Sequence, residues 1–204
     1  APKLLVLSGT HGDEYEVTEH VTAYIDSHQD ELPDYLYIPQ ASPSAVAQKT
    51  RRNKYGHDLN REFLDIPTDP EAEANMRIIE PFHFSLCIAF HEDPDRKMSY
   101  YMYDSEVMTD IQLEAFRNSI HGTGARLYTG IDDVADEQLS LHVERGYIST
   151  PIIGDRETGF SMRWLIENKK AARVFNPEIP GRAERIMKQK LVAAVFGFCV
   201  PFVK

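Results

Sequence analysis

Apolar positions along the chain fall into two kinds of run, and their alternation predicts the architecture. "KLLVLSG" (residues 3–9) is short, continuously apolar and closed by Gly, the pattern of a strand covered on both faces. Over 14–29, Val17, His20, Val21, Tyr24 and Ile25 recur at helical spacing and predict a helix. "YLYIP" (35–39) predicts a second strand, which Pro39 ends. "FSLCIAF" (84–90) predicts a buried strand that delivers His91 at its end, and 98–104, 126–131 and 172–177 are further strand candidates. Helices are predicted over about 69–82, starting at the "TDPE" cap signal, and over about 106–120, 160–170 and 181–198. Residues 40–68 are polar, interrupted by Pro43, Gly56 and Pro67, and lack a long periodic run. A loop of that length is functional or hides short elements. Strands alternating with helices predict an α/β three-layer sandwich, with a mixed, mostly parallel central sheet flanked by helices, formed as one domain over 1–204.

Composition narrows the function. The chain has 204 residues, 42% of them hydrophobic, with ten Tyr and ten Phe, enough for a proper core. Its net charge of −10 argues against nucleic acid and against an anionic membrane surface as partners. The longest apolar run, "LVAAVFGFCVPFV", carries Gly and Pro and reads as a C-terminal core helix that then breaks, not as a membrane span. No signal peptide precedes the first strand, and Cys87 and Cys199, both in apolar segments, read as buried thiols; a reducing, cytoplasmic setting is expected.

In open α/β sheets, functional groups gather at the carboxyl ends of the strands. His11 and Glu14 follow the first strand, His91 follows 84–90, and Glu178 follows 172–177, so parallel strands would bring all four to one edge. Two imidazoles and a carboxylate suit a catalytic zinc ion with one position left open. Each piece alone has a plainer reading: a Glu after a turn caps the next helix, and a His at a strand end is a satisfied buried side chain. His20, His28, His57, His83, His121 and His142 are given that plainer reading.

The loop "QKTRRNKYGHDLNREF" (48–63) changes the weighting, because Arg51, Arg52, Asn60 and Arg61 cluster there in an otherwise acidic chain. "GHDLNREF" resembles the D-L-N-R-x-F signature of the zinc carboxypeptidase and succinylglutamate desuccinylase–aspartoacylase superfamily. "GTHGDE", "RRN", "AFHED" and "FNPEIPG" follow that superfamily's order from residue 9 to residue 181. The resemblance implies one zinc ion per chain on His11, Glu14 and His91, and a catalytic Glu178. It implies that Asn60 and Arg61 grip a free carboxylate and that the upstream Arg polarises the scissile carbonyl. The R-x-N spacing of the compact bacterial amidases favours Arg51 for that role, with Arg52 the alternative. A position about fifteen before the catalytic Glu lines the family's side-chain pocket; counting back reaches Arg163, which would favour an acidic terminal residue. For the family's substrate-contacting Tyr, Tyr128 and Tyr147 are candidates, and Asp13, Glu92 and Asp93 are acidic neighbours through which a second metal could join.

The implied activity is hydrolysis of an amide bond next to a free carboxylate, on a small peptide or an N-acyl amino acid. Carboxypeptidase or peptide amidase action is the first expectation, since the deacylases carry an extra β-rich C-terminal domain and only about 26 residues follow Glu178. N-acyl amino acid deacylation, or a zinc-binding homologue without catalysis, is the alternative. Two features depart from the family pattern: the chain begins at the first ligand-bearing strand, and "NPE" is an unusual context for the catalytic Glu.

Overall fold

The computed structural model describes residues 1–133, 136, 138–150 and 158–204. In chain order the elements are β1 (Leu4–Leu7), α1 (Tyr15–His28), β2 (Tyr35–Ile38), α2 (Pro43–Gln48), α3 (Pro70–Ile79), β3 (Leu86–Ala89), β4 (His91–Asp93) and β5 (Ser99–Asp104). There follow α4 (Asp110–His121), β6 (Arg126–Leu127), β7 (Gly130–Ile131), β8 (His142–Val143), β9 (Tyr147–Ser149), α5 (Ser161–Glu167), β10 (Val174–Pro180) and α6 (Arg185–Cys199). The main sheet runs β2-β1-β3-β10-β5-β6, with β4 paired to β10 and β9 to β5. Its pairings are parallel except that between β10 and β5. This is the expected mixed, mostly parallel sheet.

Strand alternation divides the core between its two faces. Leu4 and Val6 of β1 join Leu86, Ile88 and Phe175 beneath α1, α4 and α6, where Val17, Val21, Phe116, Leu191 and Val195 are buried. Leu5 and Leu7 point the other way, with Cys87, Ala89 and Val174, towards Ala72 and Ile79 of α3 and Trp164 and Leu165 of α5. Each fully buried aliphatic side chain contributes about 1.5–3 kcal/mol relative to exposure, so both layers are needed to hold the sheet edge that carries the chemistry. Cys87 and Cys199 are buried and unpaired. Among the described residues, no helix is long and apolar enough to cross a membrane.

The structure departs from the sequence reading where contacts outweigh periodicity. The polar stretch 40–68 contains α2 and a short 3-10 turn at Leu59–Arg61. The predicted strand 126–131 is two strands in different sheets, separated by Tyr128 and Thr129. β8 and β9 were not legible: they are short, and they flank a tight reversal at Arg145–Gly146, both with positive φ. α5 stops at Glu167, and Lys169 just beyond it is left-handed (φ +55°). β10 runs to Pro180, so Glu178 lies within the strand and not after it. The register explains this: Val174 pairs with Cys87 in β3, and Glu178 pairs with His91 in β4 along the same line, so β4 supplies a partner beyond the end of β3.

Candidate active site

His11 leaves β1 and opens a 3-10 turn (Gly12–Glu14) that leads into α1. This turn can sit close to α2 because residue 12 is Gly, whose hypothetical Cβ would collide with the Ala45 carbonyl; its N–H donates to Thr50 O at 2.9 Å. The turn folds Glu14 back onto His11, with Nδ1 and Oε1 2.6 Å apart, while His91 Nδ1 lies 3.0 Å from the other oxygen, Oε2. The Glu92 N–H also reaches Oε2, at 3.2 Å. His11, Glu14 and His91 are buried, and each offers a ligand atom within 4.8 Å of the others.

The chemistry of these donors fits a divalent metal ion. Two imidazole nitrogens and one carboxylate, with no thiolate, form a set that suits a borderline-soft ion. Burial alone would lower the pKa of His11, yet Glu14 and Asp58 together raise it to about 9. Burial alone would raise that of Glu14, yet His11 and His91 hold it well below the carboxylate range. The carboxylates of Glu14 and Asp58 favour positive charge at this point. Among the described residues this is the one group of His, Cys, Asp and Glu side chains placed to hold an ion. Of the neighbours considered for a second metal, Glu92 is paired with Lys188 at 3.0 Å, and Asp93 holds Tyr101 and Arg96.

A cleft of about 370 Å³ opens beside this cluster, lined among others by Arg51, Asn60, Arg61, Tyr101, Tyr103, Phe160 and Glu178. Glu178 reaches it from β10, directly beside His91 in register. Its pKa is pushed well up, first by burial and then by the charges of Glu14 and Asp93. Asn60 is buried, and its Oδ1 accepts from the Ser161 N–H at 3.0 Å and from Ser161 Oγ at 2.9 Å. With the oxygen so engaged, its NH₂ is the group left to act as a donor. The Arg61 guanidinium lies over the Phe160 ring at 4.0 Å, donates to Asn60 O at 2.9 Å and is ion-paired with Asp136. Gly159 (φ +63°) lets this loop approach, since a Cβ there would strike the Arg61 carbonyl.

Three of the sequence candidates fall elsewhere. Both arginines are exposed, but Arg51 lines the cleft and pairs with Asp58 at 2.9 Å, whereas Arg52 donates to Gly56 O at 2.9 Å and does not line the cleft. Arg163 points away: it is bonded to Glu167 at 2.8 Å one helical turn on, and lines a small separate hollow with Phe63 and Trp164. Counting residues across an irregular segment could not fix which side of α5 it would occupy. Tyr128 lines the cleft, but Tyr147 is committed to Asp104 at 2.9 Å and the Met108 N–H at 3.0 Å.

Sequence reasoning also passed over residues of the site. Asp58 bonds His11 Nε2 at 3.0 Å and Arg51 Nε at 3.0 Å. It stands inside "GHDLNREF", so the motif contained it without revealing its partners. Tyr101 and Tyr103 share one face of β5 by strand alternation and bond Asp93 (3.1 Å) and Asp132 (2.7 Å) at the cleft wall.

Comparison with known proteins agrees with this geometry. Residues 1–83 match the family model of the succinylglutamate desuccinylase/aspartoacylase catalytic domain. The matched segment carries His11, Glu14, Arg51, Asn60 and Arg61; His91 and Glu178 lie beyond it and join the site through the fold. The structure is similar to a protein from Shewanella amazonensis SB2B assigned as a metallopeptidase (TM-score 0.78, 20% identity, covering 99% of this chain and 77% of that one). It is also similar to a metallo-carboxypeptidase from Burkholderia cenocepacia (0.62, 15%, 97% and 57%). A succinylglutamate desuccinylase/aspartoacylase from Rhodobacter sphaeroides shares the fold as well (0.57, 17%, 97% and 55%). No curated protein sequence matches. The fold is that of the carboxypeptidase and desuccinylase enzymes, as the motifs imply.

Proposed function

We propose that this chain is a zinc-dependent hydrolase of an amide bond adjacent to a free carboxylate, acting as a carboxypeptidase or peptide amidase. The observation that carries the reading is the in-register pairing of Glu178 with His91, which opens a proton-transferring carboxylate onto the cleft that holds the His11–Glu14–His91 cluster. Zinc in such a set supplies Lewis acidity towards a carbonyl and towards water. Glu178 takes the proton of the attacking water and returns it to the departing amine nitrogen. Burial, with the charges of Glu14 and Asp93, raises its pKa above that of an ordinary carboxylate, which makes it a better acceptor for the proton it is to carry. Arg51 meets the negative charge that develops on the carbonyl oxygen; such donors are worth roughly 10²–10³ in rate. Asn60 and Arg61 hold the substrate's carboxylate, Arg61 as a planar donor fork.

The match of residues 1–83 favours a second reading on the same machinery, deacylation of an N-acyl amino acid. One experiment separates the two: elemental analysis of the purified protein, followed by a screen of peptides with free C-termini against N-acyl amino acids. Glu178→Gln should keep about one zinc per chain and lose roughly 10²–10⁴ in kcat. Turnover retained by that variant removes Glu178 from the reaction, and absence of stoichiometric metal overturns the hydrolase reading.

A further inference from the structure

We infer that Asp136 is a built-in rival for the carboxylate seat on Arg61 and thereby sets how tightly this chain holds a carboxylate-bearing substrate. The inference rests on the role proposed for Arg61. The guanidinium is engaged on three sides: Nη1 with the Asn60 carbonyl at 2.9 Å, the planar face with Phe160 at 4.0 Å, and Nη2 with Asp136 Oδ2. The first two contacts are neutral and hold the group in place. The third presents the same functional group that the substrate would bring.

Asp136 comes from a segment 75 positions away, so nothing in the local chain around Arg61 requires the pair. The acid has local hydrogen bonds of its own. Its Oδ1 accepts from the Gln138 N–H at 2.9 Å, its own N–H donates to Asp133 Oδ1 at 3.3 Å, and Ser140 Oγ donates to its carbonyl at 3.4 Å. The other two arginines of the cleft are also paired with carboxylates, Arg51 with Asp58 and Arg96 with Asp93. Those acids have further side-chain work, however: Asp58 bonds His11, and Asp93 bonds Tyr101. An incoming carboxylate must therefore displace Asp136 from Nη2 or share a cation whose field is already largely cancelled. Either route lowers affinity. Removing the charge of Asp136, while keeping its shape, returns a full positive charge to the seat.

The test is binding of N-benzoylglycine and of its carboxamide, N-benzoylglycinamide, to zinc-loaded wild type, Asp136→Asn, Asp136→Ser and Arg61→Gln, by titration calorimetry. The two Asp136 variants should bind the acid about two- to fivefold more tightly than wild type, the range of a part-exposed ion pair, and the amide no more tightly. Acid affinity that is equal, weaker or undetectable in both overturns the inference, weaker binding meaning that Asp136 positions Arg61. Arg61→Gln should weaken the acid alone. Should it leave acid binding unchanged, the Arg61 assignment itself fails, a result distinct from failure of the rivalry.

Discussion

Asp58 joins two side chains that the proposed chemistry uses separately. One oxygen takes the Nε2 side of His11, leaving Nδ1 turned towards Glu14, and the other holds Arg51 at the rim of the cleft. Orienting carboxylates behind ligand imidazoles fix ring tautomer and angle, and losing one costs roughly 10–100-fold in metal affinity. Asp58→Asn should weaken zinc binding by about that factor, measured by competition with a chromophoric chelator, while Arg51 loses its tether and catalysis falls further than zinc loading explains. Unchanged affinity would reduce Asp58 to a turn residue. The same scale shows why Arg51 and Arg52 were inseparable in the sequence. They are adjacent and chemically identical, and only the partner of each, Asp58 for one and the Gly56 carbonyl for the other, tells cleft from surface.

At the scale of elements, the loop carrying Arg51, Asn60 and Arg61 is fastened through the cap of α3. Asp69 is fully buried, accepts the N–H groups of Glu71 and Ala72, and also takes Asn53 Nδ2 at 2.6 Å and His57 Nδ1 at 3.0 Å. Burial alone would raise its pKa, but these donors together hold it below its ordinary 3.8. Because the folded value is the lower one, the stabilisation is present above pH 3.8 and is lost as pH falls through the folded pKa. Asp69→Ala should cost roughly 2–4 kcal/mol at pH 7, from the cap and the charged hydrogen bonds. In urea melts at pH 7, 5 and 3 its deficit should shrink at the acid end; a deficit independent of pH would mean that the charge of Asp69 contributes nothing. The helix start at Asp69–Pro70 was readable from "TDPE", since a cap is a local event. The binding of Asn53 and His57 to that cap was not, because a polar loop has no period to reveal its contacts.

Across the whole molecule, one buried charge ties two helices to the sheet. Lys188 of α6 is 1% exposed and bridges Glu16 of α1 at 2.7 Å and Glu92 of β4 at 3.0 Å, next to His91. Removing one partner of a buried pair costs roughly 3–5 kcal/mol, whereas apolar replacement of both is often neutral. Lys188→Met should therefore destabilise by about that amount, and Lys188→Met with Glu92→Met should recover most of it, in urea unfolding of the zinc-loaded protein. If the double variant is no better than the single, the pair is not what couples α6 to β4.

The sequence by itself determined the strand-forming apolar runs and the order of the motifs, because strand burial, caps and turns are written in neighbouring residues, and the resemblance of those motifs pointed to His11, Glu14 and His91. Tertiary structure decided the rest. It chose Arg51 over Arg52 for the cleft, turned Arg163 to Glu167, carried β10 through Glu178 on the partner that β4 supplies, and set Asp58 and Asp136 against side chains 47 and 75 positions away. Periodicity reports which way a residue faces along its own element. Which two elements then meet, and in what register, depends on the closing of the sheet and the packing of loops over its edge.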